Sequence, residues 1–267
     1  MSDKLPDYKI FAIRYATREA RRADHFIGGD PHDGPMPMDY FTWVIVGPDR
    51  VLLVDTGFTA EVAARRKRTF LRCPIDNLRL LDIDPDAVTD VVLTHLHYDH
   101  VGNFHKLPHA RFHLQERELA FATGRHICYP YFAHGFEEED IVGVVRLNFR
   151  HRLELYEGDV DLAPGLTLHL AHGHTAGLQV VRVRTQRGYV VLASDASHYY
   201  ENLRTNRPFV AVVDIAAMFD AFRKVERLAD SPHHIIPGHD PLVMQQYPAP
   251  SPSLQNIVVR LDVDPAE

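Results

Sequence analysis

The stretch THLHYDH at residues 94–100 decides how this sequence is interpreted. It follows the apolar run Val91-Val92-Leu93, which predicts a buried strand that ends where the histidines begin. Side chains that can bind a metal ion then occupy four positions: His95, His97, Asp99 and His100. A loop at a strand end can bring such side chains to one point, so the stretch predicts a metal site. The alternative is a histidine-rich turn exposed to solvent.

Four further segments place a histidine or an aspartate at the end of an apolar run or in a glycine-flanked turn. They are VLLVDTG at residues 51–57, AHGHTAG at 171–177, VVLASD at 190–195 and IIPGHD at 235–240. Each segment alone is a weak signal, but together they supply enough donors for two ions. A mixture of imidazole and carboxylate donors suits Zn²⁺ better than Ca²⁺ or Mg²⁺, which prefer oxygen.

The order of these segments resembles that of the metallo-β-lactamase superfamily, from about Phe41 to His239. The resemblance implies two zinc ions per chain, with other divalent transition metals as an alternative. It implies seven ligands: His95, His97 and His174 for one ion, Asp99, His100 and His239 for the second, and Asp195 between the two. Asp55 would hold the histidine loop by hydrogen bonds. An acid in place of His97 would indicate the iron-dependent flavodiiron branch, so the histidine favours hydrolysis.

The pattern of apolar residues predicts an α/β fold. Strands are expected at 8–15, 41–46, 51–55, 91–94, 111–114, 166–170, 178–183 and 189–193, and helices at 60–70, 116–123 and 214–229. Strand runs separated by helices fit an αββα sandwich, in which two mixed β-sheets pack face to face with helices outside. Residues 126–149 mix aromatic and acidic residues, and a helical insertion beside the active-site cleft is one interpretation of them.

Composition sets limits on the organisation and partners of the chain. A chain of 267 residues with 45% hydrophobic residues can bury one substantial core, so one domain over residues 1–267 is predicted. The net charge of −7 gives no support for nucleic-acid binding. Basic runs at 18–22 and 65–68 are interpreted as solvated faces, with contact to a substrate or a partner as the alternative. A homodimer is compatible with the sequence.

A cytoplasmic location is predicted from what the sequence lacks. The amino terminus has no apolar signal region, and no apolar stretch is long enough to span a bilayer. The cysteines, Cys73 and Cys128, are far apart, which fits reduced thiols better than a disulfide.

Within the superfamily, the spacing of the ligands and the run Asp195-Ala196-Ser197 resemble the N-acyl homoserine lactonase branch. The resemblance implies that a metal-bridging hydroxide opens the lactone ring, with quorum quenching as one biological role. Asp99 would pass the proton to the leaving alkoxide, or act as a ligand only. That branch commonly has a tyrosine three residues after the bridging aspartate, and this chain has His198 there, followed by Tyr199 and Tyr200.

His198 is therefore predicted to donate a hydrogen bond to the substrate, with Tyr199 or Tyr200 as the alternative donor. Four apolar residues are candidates for an acyl pocket, although apolar residues more often belong to the core: Met36, Met38, Phe58 and Phe104.

Several other functions are weighed against a lactonase. A thioesterase similar to glyoxalase II shares the ligands, but that family adds a glutathione-binding domain, and few residues follow His239 here. A hydrolase of another cyclic ester stays open. A secreted β-lactamase is disfavoured by the missing export signal, and a phosphodiesterase by the acidic net charge. A metal-dependent ligand sensor without catalysis is the alternative outside the enzymes.

Overall fold

Two β-sheets form the centre of the molecule, and the computed structural model describes residues 5–266. The strands are β1 (Lys9–Arg18), β2 (Met38–Val46), β3 (Val51–Val54), β4 (Thr69–Phe70), β5 (Asp90–Val92), β6 (Arg111–Gln115), β7 (Leu153–Tyr156), β8 (Val160–Ala163), β9 (Leu166–Leu170), β10 (Gln179–Thr185), β11 (Gly188–Ser194), β12 (Ile235–Pro237) and β13 (Val258–Arg260). In the first sheet the order is β13-β1-β2-β3-β5-β6-β7, with β4 added beside β1, and in the second it is β12-β11-β10-β9-β8.

Helices flank the sheets. The α-helices are α1 (Ala60–Arg66), α2 (Tyr98–Val101), α3 (Glu116–Ala122), α4 (Pro130–Ala133), α5 (Glu138–Phe149), α6 (Tyr200–Thr205), α7 (Ile215–Leu228) and α8 (Leu242–Gln246). The helical interpretation of 126–149 is confirmed by α4 and α5. None of the helices within residues 5–266 has the length and apolar character to cross a membrane.

Three buried clusters produce the αββα layering. Trp43 and Ile45 of the first sheet meet Val181 and Leu192 of the second in the core between the sheets. On the outer face of the first sheet, α5 buries Val144 and Leu147 against strand residues that include Val91 and Phe112. Phe222 and Val225 of α7 cover Val180 and Val191 on the outer face of the second sheet. The predicted sandwich of two mixed sheets is therefore confirmed, and each sheet has one face against the other and one against helices.

Parallel pairing at one end of each sheet positions the candidate ligands. Strands β3, β5, β6 and β7 run parallel, as do β11 and β12 in the second sheet. Because parallel strands end at the same edge of a sheet, the segments after β3, β5, β11 and β12 emerge close together. The four segments carry Asp55, the stretch 94–100, Asp195 and His239.

The helix predicted over 60–70 is too long by one turn. It ends at Arg66 because Lys67 adopts a left-handed conformation with φ of 55°, and its amide donates to carbonyls of the preceding turn. The next residues form β4, which pairs antiparallel with the end of β1. The short strands β7, β8 and β13 were not among the predicted elements, because they are too short to show a period and, unlike β3, β5 and β12, do not lead into a candidate ligand segment.

Candidate metal centre

The first group of potential ligands consists of three histidines and one oxygen of Asp195. The ligand atoms of His95, His97, His174 and Asp195 lie within 4.8 Å of one another. The Nε2 atom of His174 is 3.2 Å from Asp195 Oδ2, and that of His95 is 3.8 Å from the same oxygen. His97 Nδ1 lies 2.9 Å from His174 Nε2. One oxygen of the Asp195 carboxylate therefore lies close to three imidazole nitrogens.

The second group faces the other oxygen of Asp195. His239 Nε2 is 3.0 Å and His100 Nε2 is 3.5 Å from Asp195 Oδ1. Asp99 Oδ2 lies 3.7 Å from His239 Nε2 and 3.8 Å from His100 Nε2. The structure therefore brings all seven predicted ligands together and divides them into two groups, with the Asp195 carboxylate between the groups.

The chemistry of these donors fits two divalent cations. His95 Nε2, His100 Nε2, His239 Nε2 and Asp195 Oδ1 are buried, and none has a hydrogen-bond partner within residues 5–266. A buried polar atom without a partner is costly, so a converging set of such atoms fits the binding of a metal ion. Burial, together with the neighbouring imidazoles, lowers the pKa of His95 and of His97 well below the usual value, so both rings are neutral and offer lone pairs. Mixed nitrogen and oxygen donors suit Zn²⁺.

The opposite nitrogen of several ligands is held by the protein, which fixes the direction of the ring. His174 Nδ1 lies 2.7 Å from the carbonyl oxygen of Ala211, and His239 Nδ1 lies 2.9 Å from that of Asp39. His100 Nδ1 lies 2.7 Å from Asp55 Oδ2. Such contacts select the tautomer that leaves Nε2 free for a metal.

Asp55 connects the first sheet to the histidine stretch. Its fully buried carboxylate accepts hydrogen bonds from the Thr94 amide at 2.7 Å and from the Thr94 hydroxyl at 2.8 Å, in addition to the His100 contact. Burial raises the pKa of Asp55, and the contacts with His100 and Thr94 lower it. The residue lies directly after β3 in a left-handed conformation with φ of 62°. Asp55, which the sequence predicts to hold the histidine loop, therefore makes hydrogen bonds that can hold it.

Glu118 has a structural role similar to that of Asp55, and the sequence did not indicate it. This residue of α3 is completely buried, and its carboxylate accepts from the Leu96 amide at 3.0 Å and the Gly177 amide at 2.8 Å. It thereby joins the stretch 94–100 to the segment 171–177. An acidic residue in the first turn of a helix is ordinary, so nothing in the sequence separated Glu118 from a surface residue.

A cavity of about 620 Å³ opens above the two groups of ligands. His97, Asp99, His174, Asp195 and His239 lie in its wall. Apolar and aromatic side chains form much of the rest, including Phe121, Phe132, Phe136, Phe209, Val210 and Val212. The segment between α4 and α5 lines the cavity, so part of 126–149 does lie beside this cleft. Tyr131 of α4 also lies in the cavity wall and donates a hydrogen bond to the Val212 carbonyl at 3.1 Å.

His198 lies in the same wall. Its Nε2 atom is 3.0 Å from Asp195 Oδ2, and its ring stacks on Phe209 with centroids 3.6 Å apart. The Nδ1 atom is buried and has no hydrogen-bond partner in the described part of the chain. Burial lowers the pKa of His198 to about 3, although Asp195 raises it, so the imidazole is neutral.

The other predicted substrate residues lie in different places. Met38 lines the cavity, whereas Phe58 is completely buried in an aromatic cluster with Tyr15 and Tyr40. Phe104 packs on the outer face of the first sheet, 6.3 Å from Phe112 between ring centroids. The structure corrects the pocket prediction for these two phenylalanines, because both are needed to fill the core.

Met36, Tyr199 and Tyr200 line a second, smaller cavity of about 390 Å³. The Tyr199 hydroxyl is buried and donates to the Pro37 carbonyl at 3.2 Å. Tyr200 belongs to the core between the sheets. None of the three lines the cavity above the ligands, which corrects the suggestion that they contact a substrate there.

Comparison with known proteins agrees with the site. The model of the metallo-β-lactamase superfamily matches residues 37–246. The N-acyl homoserine lactonase AiiA of Bacillus thuringiensis subsp. kurstaki is 28% identical over 167 residues, which are 62% of this chain and 61% of that protein. The lactonase AiiB of Agrobacterium fabrum is 33% identical over 188 residues, covering 60% of this chain and 63% of AiiB. The chain thus matches about three fifths of the length of these relatives.

Solved structures show the same fold. A quorum-quenching N-acyl homoserine lactone lactonase superposes with a TM-score of 0.74 at 21% identity, over 90% of this chain and 95% of that one. The dizinc quorum-quenching lactonase AidC has a TM-score of 0.69 at 18% identity, with 89% of both chains covered.

We predict that Asp55→Asn weakens zinc binding about 10- to 100-fold. The asparagine side chain has an NH₂ group in place of one of the two carboxylate oxygens that accept hydrogen bonds from Thr94 and His100. Competition with a chromophoric chelator measures the affinity. Asp262→Asn is the matched control, since Asp262 is also buried and hydrogen-bonded but lies at the edge of the first sheet. Equal zinc affinity in Asp55→Asn and in the wild type would contradict the role of Asp55.

Proposed function

Because this chain belongs to the metallo-β-lactamase superfamily, we propose that it is a metal-dependent hydrolase that opens lactone rings, with N-acyl homoserine lactones as the first candidate substrates. The observation that carries the proposal is the division of seven buried or half-buried donors into two groups around Asp195, at the base of a cavity. The lactonases among its relatives support the choice of substrate.

Two zinc ions are the proposed cofactor. His95, His97 and His174 would hold one, and Asp99, His100 and His239 the other, with one Asp195 oxygen directed to each group. When bound, such ions polarise a carbonyl oxygen and lower the pKa of water.

Asp99 is the proposed site of proton transfer. Its carboxylate lies in the cavity wall, so a substrate in the cavity is within its reach. In ring opening the ester C–O bond breaks, and the leaving alkoxide needs a proton. Asp99 would hold the proton taken from the attacking water at a carboxylate oxygen and deliver it to the alkoxide. Its position beside His100 and His239 is also that of a ligand, and the two roles are compatible.

The apolar wall supports an acyl substituent on the lactone. Phe121 packs against Phe132 and Phe136, with ring centroids 5.5 and 6.5 Å apart, and Phe209 lies in the same cavity wall beside His198. Burial of an acyl chain against these rings contributes about 0.8 kcal/mol for each methylene group. The rings also exclude water from the reacting ester, which strengthens the electrostatic interactions at the centre.

We predict that lactones are hydrolysed faster than thioesters or phosphodiesters. The panel contains acyl homoserine lactones, simple γ- and δ-lactones, a glutathione thioester and a bis-aryl phosphodiester, with proton release as the common measurement. A protein loaded with zinc should give its highest kcat/KM on a lactone. If the thioester or the phosphodiester turned over faster than every lactone, the substrate assignment would be wrong.

A second prediction concerns His198, the proposed donor to the substrate carbonyl. The neutral ring has one N–H, and its Nε2 atom lies 3.0 Å from Asp195 Oδ2. With the Asp195 oxygens held by the two metal ions, this N–H would be free for the substrate carbonyl. His198→Ala should then lower kcat/KM for a lactone about 10²- to 10³-fold with both metals retained, because it removes that donor. His198→Tyr should restore part of the rate. Tyr199→Phe is the control and should have a small effect, because the Tyr199 hydroxyl bonds to the Pro37 carbonyl. Unchanged kinetics of His198→Ala beside an inactive Tyr199→Phe would move the role to the tyrosine.

A further inference from the structure

Two arginines, Arg18 and Arg68, lie in the wall of the cavity above the candidate ligands. Strand β4 pairs antiparallel with β1 in a register that places Ala16 opposite Phe70 and Thr17 opposite Thr69. Arg18 is the last residue of β1 and Arg68 directly precedes β4, and both side chains line the cavity. The two strand ends therefore contribute two cations to the cavity wall.

Neither guanidinium has an acidic partner. Within residues 5–266, no carboxylate oxygen lies within 4 Å of a guanidinium nitrogen of Arg18 or Arg68. Arg68 donates from Nε to the Tyr98 hydroxyl at 3.0 Å and from Nη1 to the Arg66 carbonyl. Its Nη2 group and the guanidinium of Arg18 have no hydrogen bond in the same part of the chain.

Two arginines close to them in sequence, Arg22 and Arg66, do have acidic partners. Arg22 contacts Glu201 at 2.6 Å, and Arg66 contacts Glu137 at 2.7 Å. Asp24 is the acidic residue of the cavity wall that is not a proposed ligand. Its carboxylate accepts from the Arg21 amide at 3.2 Å and is not within 4 Å of either cavity arginine.

We propose that Arg18 and Arg68 bind an anionic group of the substrate, so that the preferred lactone carries a carboxylate on the side away from its ring. A guanidinium presents N–H donors in a planar fork that matches a carboxylate, and such charge-assisted hydrogen bonds are strong. This inference rests on the proposed function and narrows its substrate class. The basic runs at 18–22 and 65–68 each contribute one residue to the site.

Matched substrates test the inference. N-succinyl- and N-glutaryl-homoserine lactone are compared with the corresponding terminal amides, which have almost the same length and shape but no charge. Two chain lengths sample two distances between the lactone ring and the arginines. The wild-type enzyme should show a kcat/KM about 10- to 100-fold higher for at least one carboxylate than for its amide. This preference should shrink as salt is added.

Variants assign the preference to the arginines. Arg18→Ala should lower the ratio of carboxylate to amide kcat/KM about 10- to 100-fold, and Arg18→Lys should keep part of it, because lysine retains the charge without the fork. Arg79→Ala is the control for net charge, since Arg79 is exposed and does not line the cavity. Arg79→Ala should leave the ratio unchanged.

Two results would overturn the inference. One is a wild-type enzyme that hydrolyses both amides at least as fast as the carboxylates. The other is an Arg18→Ala enzyme with the same ratio as the wild type. If no lactone is turned over, the proposed function fails separately, and calorimetry with glutarate on the zinc-loaded protein decides the anion site. Tighter glutarate binding by the wild type than by Arg18→Ala upholds the site, and equal binding removes it.

Discussion

The buried carboxylate of Asp55 is the constraint on which the candidate site depends. It lies at the end of β3, and its two oxygens accept hydrogen bonds from the Thr94 amide, the Thr94 hydroxyl and the imidazole of His100. If this carboxylate were removed, the buried polar groups of Thr94 and His100 would lose their hydrogen-bond acceptor. Because the stretch 94–100 contains four of the seven proposed ligands, one residue at the end of β3 helps to orient the segment that supplies most of them.

The packing of the two sheets positions the other candidate ligands relative to the histidine stretch. The parallel ends of β3 and β5 belong to the first sheet, and those of β11 and β12 to the second, so Asp195 and His239 approach the histidine stretch from the opposite layer. The apolar core between the sheets sets the distance between the layers, and Glu118 joins the two histidine segments directly. The two groups of ligands are therefore held by packing as much as by local hydrogen bonds.

Most strands could be predicted from the sequence because strand periodicity is a local property, and the set of candidate ligands followed from the resemblance of the His and Asp segments to the superfamily. The cavity wall could not, because it depends on which residues the core needs. Phe58 and Phe104 were predicted to line the pocket but fill the core, whereas Phe209 lies against His198 without any signal in its sequence neighbourhood. Similarly, Arg68 enters the cavity wall beside the end of β1 because α1 ends at Arg66 and the chain adds β4 to the sheet.

The central claim is that Asp195 joins two metal sites into one centre, and the metal content of the protein tests it most directly. Elemental analysis of protein purified without chelator should find about two divalent metals per chain in the wild type. The Asp195→Ala variant should lose metal from both sites together, because one oxygen of this carboxylate faces each group of ligands. A fully active wild-type enzyme with one metal per chain or none would contradict the account.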